Sequence, residues 1–443
     1  MKSRIKIACI CNMNNMMFIL CRYLRDAGYD AHLFVLSDEP KHFHPSADSY
    51  DDEYITYYHQ LSQTKSTIYK KEFALELRRE LGDFDFLIGS DIAPALIALI
   101  GRKLDIFIPH GSDIYALPFQ QSRPKDTDAV WWQREVGMLS QLQELGIREI
   151  NTILFPDEYD IHFPFKTKLK TSATYHNTSG PMVYIHQYTD LEGKALTFNL
   201  KHATVFQNIR KESSLMLFSH SRHNGFNLTG KMAVHDKGND QLIRGFAEFL
   251  RLNDLDARLV LFDYGINVEA SKNLIQELSI EKHIHWMPLM DRKEIMFGLM
   301  LSDIACGQFK NSWLTCGVVN ESLATNKPLL HYRDDMLYQS DYQWLYPVLN
   351  ANSPAAISNL LSDYLNNKTN YDNASNKGSD WLYEHTVKGP LSIIEGVIKS
   401  KDNNDLFLST STLNEIHRRL RKHRLLDKIY RAQGKVRESL KRN

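Results

Sequence analysis

SLMLFSHSR (214–222), KGNDQLIRGFAEFL (237–250) and RLVLF (258–262) are the stretches from which the fold can be read. The first and third hold short apolar runs bounded by polar residues, as strands buried on both faces do. Between them, Leu242, Phe246, Phe249 and Leu250 recur at helical spacing, with Gly238 and Asp240 at the helix start. Strand, helix and strand in that order make a βαβ unit. The alternation continues through a helix at 270–278, a strand at 283–286, a helix at 292–301, a short strand at 303–306, a helix at 318–325 and a strand at 328–331. It predicts a Rossmann-like domain built on a parallel sheet.

Toward the N-terminus a second series appears. A strand at 5–11 leads through Asn12-Met13-Asn14-Asn15 into a helix at 16–27, which Gly28 stops before a strand at 31–36. Further units follow at 84–88 with a helix at 92–100, and at 105–109 with the turn His110-Gly111-Ser112-Asp113. The α/β reading is therefore two Rossmann-like domains facing across a cleft, with ligands beyond the carboxyl ends of the strands. The expected division is 1–208 for an N-terminal Rossmann-like domain, 209–375 for a C-terminal Rossmann-like domain, 376–400 for a helix returning to the first domain, and 401–443 for a basic helical tail. Residues 155–208, rich in aromatics and turn formers, are assigned to the end of the first domain. Residues 366–377, with five asparagines among twelve, read as a mobile surface segment.

At 443 residues the chain is long enough to bury its cores without disulfides, and its five cysteines show no repeated pair at zinc-ligand spacing. The most apolar helical stretch, 92–100, is interrupted by Pro94 and falls far short of the roughly 20 residues that cross a bilayer. No signal peptide is expected, and the protein reads as cytoplasmic. Its 53 basic and 53 acidic residues balance overall but not locally. From 413 to 443 there are eleven Lys or Arg against three acidic residues, a net +8 that leaves −8 on the remainder. That tail suits an anionic membrane surface at the inner face of the membrane, or an oligomer contact; nucleic acid is not expected as a partner. Its apolar residues change face midway, which predicts two short helices or a bend near Arg424.

Arg222 at a strand end and Lys237-Gly238 before a helix N-terminus bring cationic side chains and free backbone N–H groups together, a good site for a pyrophosphate. A solvated lysine beside a turn glycine accounts for the same residues. The sequence has no phosphate-loop Lys-Ser/Thr after a glycine run, no Gly-x-Ser-x-Gly elbow and no Asp-x-Asp pair for a metal-bound pyrophosphate. No metal site and no cofactor are expected.

Here the chain resembles the retaining glycosyltransferases of family 4, which have the GT-B fold. The resemblance runs from Arg222 and Lys237-Gly238-Asn239-Asp240 to Glu321-Ser322-Leu323-Ala324-Thr325-Asn326-Lys327-Pro328, and is best over about 215–330. It implies that Glu321 holds the donor ribose and that Arg222 and Lys237 hold its phosphates, with Gly238 in the same turn. His110-Gly111-Ser112-Asp113 resembles the family's His-Gly-x-Asp on the acceptor side, which makes His110 and Asp113 the catalytic candidates. Asn12, Asn14, Asn15 and Gly111 would then line an acceptor or phosphate loop. Trp313 stands where the family has a second glutamate, and 224–236 lengthens the Arg-to-Lys spacing.

The function expected is transfer of a sugar from a nucleotide-sugar co-substrate, UDP- or GDP-linked, to a glycan, lipid-linked or protein acceptor in bacterial surface polysaccharide assembly, without metal and with retention. The alternatives are a nucleotide-sugar epimerase of the same fold, which needs acid/base groups at the sugar carbon, and an inactive carbohydrate-binding scaffold.

Overall fold

A computed structural model describes residues 5–120, 136–188, 193, 200–225, 234–401 and 406–442. The chain divides into two units. The first comprises Met1–Pro45, Asp52–Pro181 and Thr386–Asn443, and the second Ser46–Asp51 and Met182–His385. The described residues among 182–208 thus fall in the second unit.

The first unit holds a seven-stranded parallel sheet: β1 (Lys6–Ile10), β2 (Asp30–Val35), β3 (Tyr58–Gln60), β4 (Phe86–Gly89), β5 (Ile106–Phe107), β6 (Thr152–Leu154) and β7 (Thr174–His176), in the order β3-β2-β1-β4-β5-β6-β7. Successive residues of β1 serve different cores. Ile7 and Cys9 pack with α1 (Met16–Asp26), whereas Ala8 and Ile10 pack with α2 (Lys71–Leu81) and α3 (Ala93–Leu99). A sheet covered on both faces has no solvent side, which is why its strands read as unbroken apolar runs.

The second unit repeats the plan with six parallel strands, β8 (Leu215–Ser219), β9 (Ala257–Phe262), β10 (Ile284–Met287), β11 (Ile304–Cys306), β12 (Leu329–His331) and β13 (Leu349–Asn350), ordered β10-β9-β8-β11-β12-β13. Met216 and Phe218 enter one core and Leu215 and Leu217 the other. The helices that carry the site are α4 (Asn239–Leu252), α5 (Arg292–Leu301) and α6 (Gly317–Ala324). In both sheets the strand order reverses once, between β1 and β4 and between β8 and β11. In open α/β sheets that reversal opens the ligand crevice at the strands' carboxyl ends.

Two expectations are corrected. Residues 366–375, read as a mobile segment, lie within α7 (Pro354–Ser375), which breaks only at Asn367. Tyr364 donates from its hydroxyl to the Asp372 carboxylate at 3.1 Å, Asn366 donates to the Ser362 carbonyl at 3.2 Å and Asn367 to Asp363 at 2.9 Å, so the segment is helical and two of its asparagines are bonded one turn back. The tail, expected to bend near Arg424, is one continuous helix, α8 (Thr410–Arg442). Its N-terminal half buries Ile416 and Leu420 in the first unit's core, with Leu413 packed alongside. A change of apolar face does not force a helix to bend where nothing breaks its backbone ladder.

Candidate functional site

The second unit assembles the larger cluster at its sheet reversal. The chain leaving β8 carries His220, Ser221 and Arg222, and the chain leaving β11 carries Gly307 and Gln308. The two are tied directly: the Ser221 hydroxyl donates to the Gly307 carbonyl at 3.2 Å. Lys237 reaches into this place from the turn before α4, and its Nζ donates to the Gln308 side-chain oxygen at 3.0 Å. Burial and nearby Arg222 pull the Lys237 pKa below the ordinary lysine value, against the opposing pull of Cys316 and Asp236. Arg222 is exposed and bonds the Tyr264 hydroxyl. Among the described residues neither cation forms an ion pair, so their positive potential is available to an anion.

Gly238 caps α4 in the left-handed region, at φ +67°. A Cβ there would come within 3.0 Å of the backbone of Phe309 and Lys310, so the close approach as well as the dihedral requires glycine. Its N–H donates to the Asp236 carboxylate at 2.9 Å. His331 fixes the facing loop: its Nδ1 accepts the Gln308 N–H at 2.9 Å and its Nε2 donates to the Trp313 carbonyl at 2.9 Å. Trp313 itself is buried.

Glu321, on α6, is buried and engaged through both carboxylate oxygens. His220 Nε2 donates to Oε2 at 2.7 Å, and Arg292 Nε donates to Oε1 at 2.8 Å. Burial pushes the Glu321 pKa up, but Arg292 and His220 outweigh it and hold the carboxyl below its usual range. His220 keeps a buried Nδ1 with no hydrogen-bond partner among the described residues.

In the first unit the corresponding reversal brings Asn12, after β1, near Ser90 and Asp91, after β4. Asn12 is fully buried. Its carboxamide oxygen accepts the Phe18 N–H at 2.9 Å, and its NH2 donates to Asn15 Oδ1 at 3.0 Å and to the Phe43 carbonyl at 2.6 Å. Asn14 and Asn15 take left-handed φ values of 55° and 60°, conformations asparagine tolerates better than most residues. These asparagines start a helix and shape a loop, and Asn12 has no side-chain surface left for a ligand.

Asp113 faces inward. Its carboxylate accepts the N–H groups of Gly111 at 2.9 Å, His110 at 3.1 Å and Asp91 at 2.9 Å, so it clamps two strand-end loops together. Gly111, at φ +140°, sits in that clamp against Tyr115. His110 Nε2 lies 3.7 Å from both Asp91 Oδ1 and Asp113 Oδ2, and these carboxylates raise its pKa against the effect of burial. Lys65 bonds the other Asp91 oxygen at 2.5 Å. Beside them Glu39 is pushed up to about 7 by burial, with Asp91 and Asp38 adding to the shift and Lys65 opposing it. A carboxyl that changes charge near neutral pH, beside an imidazole held between two carboxylates, gives this loop cluster acid/base capacity.

No protein-family model matches the sequence, and no curated protein matches it. Among solved structures the chain is similar to sucrose-phosphate synthase of Thermosynechococcus elongatus, with 11% identity over 89% of this chain and 98% of that one and a TM-score of 0.56. It is likewise similar to HepE of Anabaena in complex with UDP, at 11% identity, 89% and 100% coverage and a TM-score of 0.54. A third is the UDP-GlcNAc 2-epimerase of Neisseria meningitidis bound to UDP-GlcNAc, at 11% identity, 90% and 100% coverage and a TM-score of 0.53. The two parallel-sheet units are therefore those of the GT-B fold, which glycosyltransferases and UDP-GlcNAc 2-epimerases share.

Six participants escaped the sequence reading. His220 lay within the quoted stretch without a role, and Gln308 has no motif around it. Glu39, Lys65 and Asp91 are ordinary loop residues until the sheet brings them together. Arg292 left a signal, because a cation in the first turn of a helix is disfavoured by the macrodipole and points to a specific partner.

Proposed function

We propose that the chain is a glycosyltransferase that takes a sugar from a nucleoside-diphosphate donor, held on the second unit, and passes it to a glycan, lipid-linked or protein acceptor engaged by the first. The observation that carries this is the pairing of Lys237 with Arg222 at a sheet reversal, beside the start of α4, with no carboxylate in ion-pair contact with either among the described residues. Cations left uncompensated in a partly buried place mark an anion site. Lys237 and Arg222 would hold the diphosphate and Gly238 would let the backbone approach it; Glu321 would accept from a ribose hydroxyl.

In the reaction so read, the bond between the anomeric carbon and the phosphate oxygen breaks and its electron pair stays on the diphosphate. Lys237 and Arg222 stabilise that charge in the role a metal ion plays elsewhere. The acceptor oxygen bonds the anomeric carbon on the face the diphosphate leaves, and its proton passes to a phosphate oxygen, which gives retention. His110 would bond the acceptor, with Asp113 holding its loop. A role in surface polysaccharide assembly, with the protein in the cytoplasm and the basic tail resting on the inner leaflet beside a lipid-linked acceptor, fits the same reading.

The test is thermal stabilisation against UDP-, GDP-, TDP- and CMP-sugars with and without EDTA, where a ligand at 100 times its dissociation constant adds about 2.7 kcal/mol. A shift with one base that survives EDTA and disappears in Lys237→Ala supports the donor site. No shift with any nucleotide favours an inactive scaffold. A second reading, a nucleotide-sugar epimerase, draws on His220, which Glu321 orients while its Nδ1 stays unpartnered. Exchange of solvent deuterium into the sugar ring without an acceptor separates it from transfer.

A further inference from the structure

The chain leaves the first unit after Pro45 and returns to it at Asp52, and the strap between, Ser46–Asp51, packs into the second unit. Tyr50 lies in that unit's core, edge-on to Tyr188 at 6.2 Å, and its hydroxyl donates to the Lys293 carbonyl at 2.9 Å. Asp48 is fully buried. The Tyr188 hydroxyl donates to its Oδ1 at 2.7 Å, and the Gln187 side chain donates to its backbone carbonyl at 2.8 Å. The strap therefore grips the first turn of α5 at two successive residues, Lys293 by its carbonyl and Arg292 by its charge.

Arg292 stands between two buried carboxylates. Its Nε donates to Glu321 at 2.8 Å, its Nη1 donates to the Met182 carbonyl at 2.8 Å, and Nη1 lies 3.9 Å from Asp48 Oδ1. Both Glu321 and Asp48 hold the Arg292 pKa up against burial. A guanidinium is planar, and partners on two of its edges fix its orientation. A buried aspartate serving only to glue a loop would be costly, since a neutral side chain would make the same hydrogen bonds without desolvating a charge. Its charge has a use here: it shares the guanidinium, so that Glu321, also bonded to His220, keeps lone pairs basic enough to accept from a ligand.

We propose that Asp48 is a positioning residue for nucleotide binding, acting through Arg292 to orient and tune the Glu321 carboxylate for the hydroxyls of a ribose. This rests on the reading of Glu321 as the ribose-holding group. Asp48, buried and bonded to Tyr188, touches no ligand itself.

The experiment is calorimetric titration of the full-length wild type and of Asp48→Asn with UDP and GDP, and with the 2′,3′-dideoxy form of whichever nucleotide binds. Asp48→Asn is expected to weaken the ribonucleotide about tenfold, the scale of one charge-assisted hydrogen bond, and to leave the dideoxynucleotide unchanged. Tyr188→Phe, which removes only the hydroxyl on Asp48, is expected to give the same pattern more weakly, and it decides the matter if Asp48→Asn does not fold. Unchanged ribonucleotide affinity, or an equal loss for both nucleotides, overturns the proposal while leaving the donor site standing. A wild type that binds neither UDP nor GDP, and is stabilised by none of the other nucleotide sugars, removes the donor-site reading and this inference with it.

Discussion

His220 Nε2 and Glu321 Oε2 meet at 2.7 Å, across 101 positions of sequence, at the carboxyl end of β8. The bond joins a residue that ends a strand to one in the middle of α6, and with Arg292 on its far side the Glu321 carboxylate is as much part of the unit's framework as of its site. Removing it should therefore be felt twice.

Glu321→Gln should lower both stability and nucleotide affinity. It leaves the Arg292 guanidinium, one-tenth exposed, short of its nearest counter-charge, and breaking such a buried pair costs about 3 kcal/mol. The wild type's pH profile carries the same information. A carboxyl whose folded pKa is depressed contributes stability that is present above its unfolded value and is lost as pH falls through the folded one. The wild-type urea midpoint should drop below the ordinary carboxyl value of 4.5, and in Glu321→Gln that part of the profile should flatten.

His331 sets a second pH window. Burial holds its pKa at about 4, against an ordinary 6.5, because Nδ1 must stay unprotonated to accept the Gln308 N–H. The unfolded chain takes up this proton first, so stability falls as pH drops from 6.5 toward 4. His331→Phe should remove this dependence and cost about 2 kcal/mol at pH 7 by leaving the Gln308 N–H and the Trp313 carbonyl unpaired. Chemical denaturation across pH 4 to 7 checks both.

Lys237→Ala should weaken nucleotide-sugar binding by about 10- to 100-fold, the range of a lost charge-assisted hydrogen bond. It forms no ion pair among the described residues, so the melting temperature without ligand should hardly move. Calorimetry beside a ligand-free melt separates the two effects. A melting temperature lowered as much as the affinity would make Lys237 a packing residue.

Gly238→Ala tests the backbone rather than the charge. The left-handed dihedral and the 3.0 Å approach to Phe309 and Lys310 should cost about 1–2 kcal/mol. Nucleotide affinity should fall as well, because relief of the clash pushes the Lys237 turn off the Gln308 loop. Urea unfolding and the UDP and GDP titrations report the two separately.

The tail's membrane role is best tested by ending the chain after Leu425. Ile416 and Leu420 are buried in the first unit's core and Glu149 accepts from Ser409 at 2.7 Å, so a cut before residue 410 would confound folding with binding. The shortened protein should keep its melting temperature and lose sedimentation with anionic liposomes at low salt. Retained sedimentation would place membrane attachment upstream of residue 426.

Periodicity determined most of the fold, because burial on both faces of a parallel sheet and on one face of each helix is written locally in apolar spacing. From 214 to 331 the expected strands and helices agree with the observed ones to within a residue or two at most ends. Short β3, β6, β7 and β13 gave too little pattern to see, and the tail's apparent bend and the asparagine-rich segment misled because composition reports propensity and not the neighbours that override it. Lys237, Gly238 and Arg222 were legible as a cationic helix start, since that chemistry is local to one strand-loop-helix.

What only the tertiary structure decided is which groups share a charge. Nothing in His110-Gly111-Ser112-Asp113 shows that Asp113 turns inward onto three backbone N–H groups, and nothing near Glu321 names His220, Arg292 or Asp48, which lie up to 273 positions away. Electrostatic pairing acts through space at a few ångströms. Sequence spacing carries it only where the partners share a turn, and here the crossovers between parallel strands bring them together.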